Sequence, residues 1–217
     1  MMGIIQSVGG MLLQAVPWTI GLTVFAFVAG SILAIPMCAL RVSRSAVVRG
    51  VSMGVILVMR SIPPIVWLFI IFFGIGSGIL HLSPFASGVI GLALITAANL
   101  AEIYRGAMKA VPLGQFEASK VLGLSRWRQY VDVLGPQIFR TALPSCATYA
   151  IGLVKDTAVA STIGVPEIAQ AAYRASQATF KGIEVYAAAG FIYFVISVLM
   201  AWGSRALDTR LRMSIAR

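Results

Sequence analysis

The chain reads as long runs of apolar residues separated by short intervals in which most of its charge is gathered. A helix needs about 20 residues, within a range of about 17 to 25, to cross the hydrocarbon core of a bilayer. Five segments have that length and apolarity: 18–40, 52–80, 86–104, 141–164 and 184–204. Lipid offers no hydrogen bonds to an open backbone, so such segments span as helices. The pattern predicts an all-α membrane protein of about five transmembrane helices. Ahead of them, Ile4, Ile5, Val8, Leu12 and Leu13 recur at helical spacing with Gln6, Ser7 and Gln14 between. This weaker pattern predicts a short helix lying in the interface. It divides the chain into an interfacial segment, 1–17, and a membrane domain, 18–217. No Lys or Arg precedes those first apolar residues, which does not fit a cleaved signal peptide.

The second segment contains Arg60-Ser61-Ile62-Pro63-Pro64. Adjacent prolines remove two backbone donors, so the helix either breaks there, sheltered by neighbouring protein or water, or ends there at the cytoplasmic boundary with Arg60 snorkelling and the span running from Ile65 to Leu80. Both readings place Arg60 near the inner face.

Composition excludes the soluble alternative. Hydrophobic residues make up 59% and charged residues 11%, where an ordinary soluble domain carries about 25% charged; mean hydropathy is +0.92. The net charge of +10 follows the retention of Lys and Arg on the cytoplasmic side of membranes rather than nucleic-acid binding, since no basic patch is interleaved with exposed aromatics. Arg41, Arg44 and Arg49 follow the first span. Arg105, Lys109, Lys120, Arg126, Arg128 and Arg140 lie between the third and fourth, and Arg205, Arg210, Arg212 and Arg217 follow the fifth. Only Arg174 and Lys181 fall on the other side. The N-terminus is thus expected outside and the C-terminus in the cytoplasm. Cys38 and Cys146 read as small buried hydrophobes, and His81, the single histidine, cannot assemble a metal cluster.

Between the third and fourth spans, 105–140 is too polar to insert and too apolar to be disordered. Pro112 and Gly114 can open a short helix through Phe116, Ala118, Lys120 and Leu122, with Gly123 at its left-handed C-cap. Ser125 would cap a second helix ending before Gly135-Pro136. Two short helices joined by a glycine turn on the cytoplasmic side suit the docking of a partner.

Glu117-Ala118-Ser119, then Gly123, then Val133-Leu134-Gly135-Pro136, resembles the EAA loop of ABC importer permeases: Glu-Ala-Ala, three residues, Gly, nine residues, Ile-x-Leu-Pro. Ser119, Val133 and Gly135 depart from that pattern. Around 112–136 the chain is similar to the polar amino acid uptake branch of the family. Arg60-Ser61-Ile62-Pro63, Glu102-Ile103-Tyr104-Arg105-Gly106, Gly114-Gln115-Phe116-Glu117-Ala118, Pro136-Gln137, Lys155-Asp156-Thr157 and Ile163-Gly164-Val165-Pro166-Glu167 resemble its ordered motifs. The resemblance implies a type I ABC importer transmembrane domain. Gly114, Glu117, Ala118, Ser119 and Gly123 would belong to a coupling helix seated in a cytoplasmic ABC ATPase dimer. That partner would bind ATP-Mg; the chain itself has no phosphate-binding loop of the Gly-x-x-x-x-Gly-Lys-Ser/Thr type. A second permease subunit, like or similar, and a solute-binding protein complete the expected assembly.

Lys155-Asp156 falls within the fourth expected span, roughly 21 Å along a helix counted from Thr141. Ionisable groups at that depth mark function by default. Asp156 and Thr157 are expected to line the solute path, with Arg60 near its inner end and Lys155 meeting an acidic group or a substrate carboxylate; a structural anchor between helices is the other reading. Pro166 to Arg174 reads as a short outer helix, either capping the path or resting on the membrane surface. Two other classes remain open to the residues alone. A membrane enzyme would need a catalytic constellation that one histidine and no paired carboxylates do not supply. A channel or scaffold would work without ATP.

Overall fold

The computed structural model describes residues 2–213; Arg217, counted among the cytoplasmic bases, lies outside them. Helix α1 runs unbroken over Met2–Arg41. The interfacial helix and the first span, expected as separate elements, are therefore one. The reason is packing: Leu12 and Ala15 are buried against Ile168, Ala172, Ala175, Val185 and Ala189, so this stripe faces protein rather than the membrane surface.

Helix α2 (Ala46–Ser61) begins on Ser45, whose Oγ accepts the Val48 N–H. It stops before Pro63-Pro64. Helix α3 (Pro64–Phe69) leaves at 98° to it and continues as wider π-helical turns over Ile70–Leu80. The single span expected over 52–80 is thus two helices, because consecutive residues without N–H leave the hydrogen-bond ladder unsupported.

Helix α4 (Pro84–Ala110) is capped by Ser83 and opened by Pro84, a pairing suited to a helix start. It extends the expected 86–104 at both ends. Arg105 and Lys109, expected in the loop, belong to it, since nothing breaks the helix before Pro112. It is also the central helix, with Leu92, Ala97, Ala98, Leu100 and Ala101 buried. In lipid such contacts gain from close packing of small residues rather than from expulsion of water.

Two short helices follow: α5 (Leu113–Val121) and α6 (Arg126–Arg128). The second does not end before Gly135-Pro136 as expected. It widens into π-helical turns over Gln129–Leu134 and runs on into α7 (Gly135–Asp156). This explains Gly135. The wide turn brings the Tyr130 carbonyl against it, and a Cβ there would lie 2.5 Å from that oxygen. Helix α7 tightens into a 3-10 helix over Thr157–Ile163, which ends on Gly164 at φ 90°. Then come α8 (Ile168–Thr179) and α9 (Gly182–Met213).

By length and composition, three of the described helices can cross a membrane: α1 from Val8, α4, and α9 to Ala206. They become four if the bent pair α2 and α3 counts as one span. Helix α7, which holds most of the fourth expected span, falls short because Arg140, Thr141, Ser145, Thr148, Lys155 and Asp156 dilute its apolar content. The charge pair also sits in the last turn of α7, where the α-helix gives way to the 3-10 turns. The core is built around α4: Leu22 and Ala26 of α1, Leu68 of α3, Leu92 of α4 and Leu153 of α7 pack with Ala160, Ile163 and Val165.

Candidate functional site

Between α4 and α7, α5 closes as its glycine requires. Gly123 adopts φ 67° and donates its N–H to Lys120 O at 2.9 Å, while the Leu122 N–H bonds to Ala118 O at 3.0 Å. Ser125 caps the next turn by accepting the Arg128 N–H. Of the expected coupling residues, Gly114, Glu117, Ala118 and Gly123 are exposed, whereas Ser119 is buried and its Oγ donates to Phe116 O at 2.9 Å. Ser119 thus faces the chain's own interior. Leu113, Val121, Leu122 and Trp127 are each more than 70% exposed, which makes this ledge apolar as well as basic. Gln137 ties it to the foot of α7 by donating to Gln115 Oε1 at 3.1 Å and Val133 O at 2.9 Å.

Beside the ledge, Glu102 of α4 holds two arginines. Its Oε1 accepts Arg41 Nε at 2.8 Å, and its Oε2 accepts Arg105 Nη2 at 2.6 Å. The end of α1 is thereby fastened to the last turns of α4.

Deeper in the bundle, three elements bring polar groups together. Arg60, at the end of α2, donates to Asn99 Oδ1 of α4 at 3.0 Å, and Asn99 Nδ2 donates back to Ile95 O at 2.9 Å. The Tyr149 hydroxyl of α7 donates to Thr96 Oγ1 of α4 at 3.3 Å. Asp156 is half-buried and Lys155 exposed, the divergence that successive helical residues impose. Thr157 departs from expectation. It is fully buried, with its Oγ1 donating to Val154 O at 2.6 Å, so it faces neighbouring helices and not an open path. The Arg60 guanidinium and the Tyr149 phenol thus converge on the side of α4 that carries Thr96 and Asn99.

The family described as binding-protein-dependent transport system inner membrane component matches residues 11–213. The chain belongs to that family. It is similar to the L-cystine transport system permease protein TcyB of Bacillus subtilis (33% identical, 98% of this chain and 91% of that one). It is likewise similar to the nopaline transport system permease protein NocM of Agrobacterium fabrum (31% identical, 94% and 90%). A crystal structure of an amino acid ABC transporter with histidines superposes with a TM-score of 0.83 at 26% identity, covering 93% of this chain and 94% of that one. The MetNI methionine ABC transporter, at 20% identity and a TM-score of 0.83, shares the fold.

This permease is therefore an inner-membrane transport component whose energy comes from an ATPase in a separate subunit, and it works with a binding protein. The EAA-type loop is in place on α5. Asn99 and Tyr149 were not singled out from the sequence. The available signal was an amide at position 99 inside an apolar helix, which needs a partner in lipid.

Proposed function

We propose that this permease moves amino acids, or close polar relatives carrying an ammonium and a carboxylate, into the cell through the cluster of Arg60, Asn99, Tyr149 and Asp156. The observation that carries this reading is that Arg60 of α2 and Tyr149 of α7, from helices far apart in sequence, bond to Asn99 and Thr96 on one side of α4, with the half-buried Asp156 at the end of the same α7. A zwitterion would bridge the two charges. Lys155, exposed at the same level, would meet the solute carboxylate or an acid of a neighbouring subunit.

The ledge around Glu117 seats in an ABC ATPase dimer that binds ATP-Mg. Its exposed Leu113, Val121, Leu122 and Trp127 supply apolar contact, and Glu117 a carboxylate for polar groups of the partner. A second permease subunit, identical or similar, closes the path, since few spans per chain enclose one alone. The distribution of bases keeps the N-terminus outside and the C-terminus in the cytoplasm.

The test is uptake into proteoliposomes holding the permease, the ATPase and the solute-binding protein. Radiolabelled l-arginine, l-cystine and l-glutamine serve as probes. ATP-dependent accumulation of at least one, with a raised half-saturation concentration in Asp156→Asn, is expected. Uptake without the ATPase, or none of the three carried, overturns the reading.

A further inference from the structure

Helices α1 and α2 leave a groove of about 300 Å³ between them, lined by Met37 and Leu40 of α1 and by Val48, Val51, Val55 and Ile56 of α2. The polar side chain in the lining, Ser52, donates its Oγ to Arg49 O at 3.1 Å. No lining side chain is therefore left for water to bond, and a groove of that kind favours hydrocarbon. It runs along α2 from Val47 to Val55, about 12 Å at the rise of an α-helix. It also opens sideways, because Val47, Val51 and Val55 repeat once per turn and are 74%, 63% and 49% exposed.

One end of the groove meets positive charge. Leu40 and Val47, which line that end from either helix, are joined by the turn that carries Arg44. Arg49 folds back over the same turn, its Nη1 donating to Ser43 O and to Arg44 O, both at 2.9 Å. Neither guanidinium has a carboxylate. No Asp or Glu occurs in the chain before Glu102, and Glu102 is taken by Arg41 and Arg105. Nε and Nη2 of Arg49 and the exposed Arg44 side chain thus remain as donors for an anion.

We propose that the groove binds an anionic phospholipid, with an acyl chain along α2 and the phosphate between Arg44 and Arg49. Such a molecule joins in one ligand the hydrocarbon that the lining favours and the anion that its end requires. With the bases on the cytoplasmic side, as proposed above, the turn meets the leaflet whose anionic headgroups attract juxtamembrane bases. An acidic loop of a protein partner would answer the arginines but leave the apolar groove uncovered. The site does not depend on which solute is carried.

The experiment uses the permease assembled with its ATPase, reconstituted in nanodiscs of phosphatidylcholine mixed with phosphatidylglycerol. Native mass spectrometry after release counts the phospholipid that each variant keeps. Wild type should keep phosphatidylglycerol in preference to phosphatidylcholine. Arg44→Gln should weaken that preference about fivefold, and Arg44→Glu should abolish it. Arg44 is exposed, so neither change touches the core. Arg140→Gln, which removes an exposed charge elsewhere, should leave the preference as it is. Val51→Trp, whose indole would fill the groove, should release the lipid. Val58→Trp, at a similarly exposed position of α2 outside the groove, should keep it. A phosphatidylglycerol with a diazirine in its acyl chain should label Met37, Leu40 or residues 47–56.

Equal retention of the two lipids by wild type overturns the proposal. So does a loss in Arg140→Gln as large as in Arg44→Gln, which would make the preference a matter of net charge, and so does full retention in Val51→Trp, which would put the lipid elsewhere. Displacement of the lipid by inorganic phosphate would show a site for a free anion, and a groove that takes no acyl label would be one covered by a protein partner; either result also overturns it.

Discussion

Gly30 of α1 lies so close to Thr96 of α4 that a Cβ on it would stand 2.5 Å from the Thr96 Cβ and 2.9 Å from the Ala93 carbonyl oxygen. Thr96 is buried and is the partner of the Tyr149 hydroxyl. A packing contact between two helices therefore also sets the group on which the polar cluster hangs. Gly30→Ala has to push α1 and α4 apart, and overpacking of this kind costs about 1–3 kcal/mol. A lower melting temperature for the purified permease and weaker uptake are expected. Gly54→Ala, where a Cβ meets nothing within 4 Å, is the control and leaves both unchanged.

Arg60 and Asn99 join α2 to α4 one helical turn from Thr96. Removing a hydrogen bond to a charged group costs about 1.5–3 kcal/mol. Arg60→Gln is therefore expected to raise the half-saturation concentration for uptake by about tenfold or more. Asp156→Asn is expected to do likewise, and a well-folded variant with unchanged uptake would remove Asp156 from the path.

Glu102→Gln leaves Arg41 and Arg105 facing one another without the carboxylate that joins them. The site is partly exposed, with side chains 14–24% accessible, so the expected loss is moderate, about 1–2 kcal/mol. Thermal denaturation of the purified permease at low and high salt checks this. The deficit should narrow as salt screens the two like charges.

At Gly123 the backbone conformation, not space, is the constraint. A Cβ there meets nothing within 4 Å, yet φ is 67°. An L side chain in that region costs about 1–2 kcal/mol, so Gly123→Ala should loosen the end of α5 and lower transport per ATP hydrolysed. Gly114→Ala, which faces neither constraint, should leave that ratio as it is.

Burial pushes the Glu167 carboxyl above its ordinary value, against the pull of hydrogen bonds from Tyr193 and from the backbone of Ala169 and Gln170. A raised carboxyl means that the folded protein binds the proton more readily than the unfolded chain. Between the ordinary glutamate range and the raised value, stability therefore falls as pH rises. Melting temperatures measured from about pH 5 to about pH 8 should decline, and Glu167→Gln should flatten the part that belongs to this group.

The sequence by itself determined the all-helical membrane class, the EAA-type loop, and the turn at Gly123. These depend on local properties: apolar length, charge placement and the φ that one glycine permits. It also marked Arg60 and Asp156 as ionisable groups in apolar surroundings. Only the tertiary structure decided which faces meet. Periodicity says that Thr96 and Asn99 share a side of α4, but not that Tyr149, 53 residues beyond Thr96, closes on them. It places Lys155, Asp156 and Thr157 on diverging directions, but not which of them points inward. Contacts across such separations are set by how whole helices pack, as Gly30 against Thr96 and Tyr193 against Glu167 demonstrate. No local pattern carries that information.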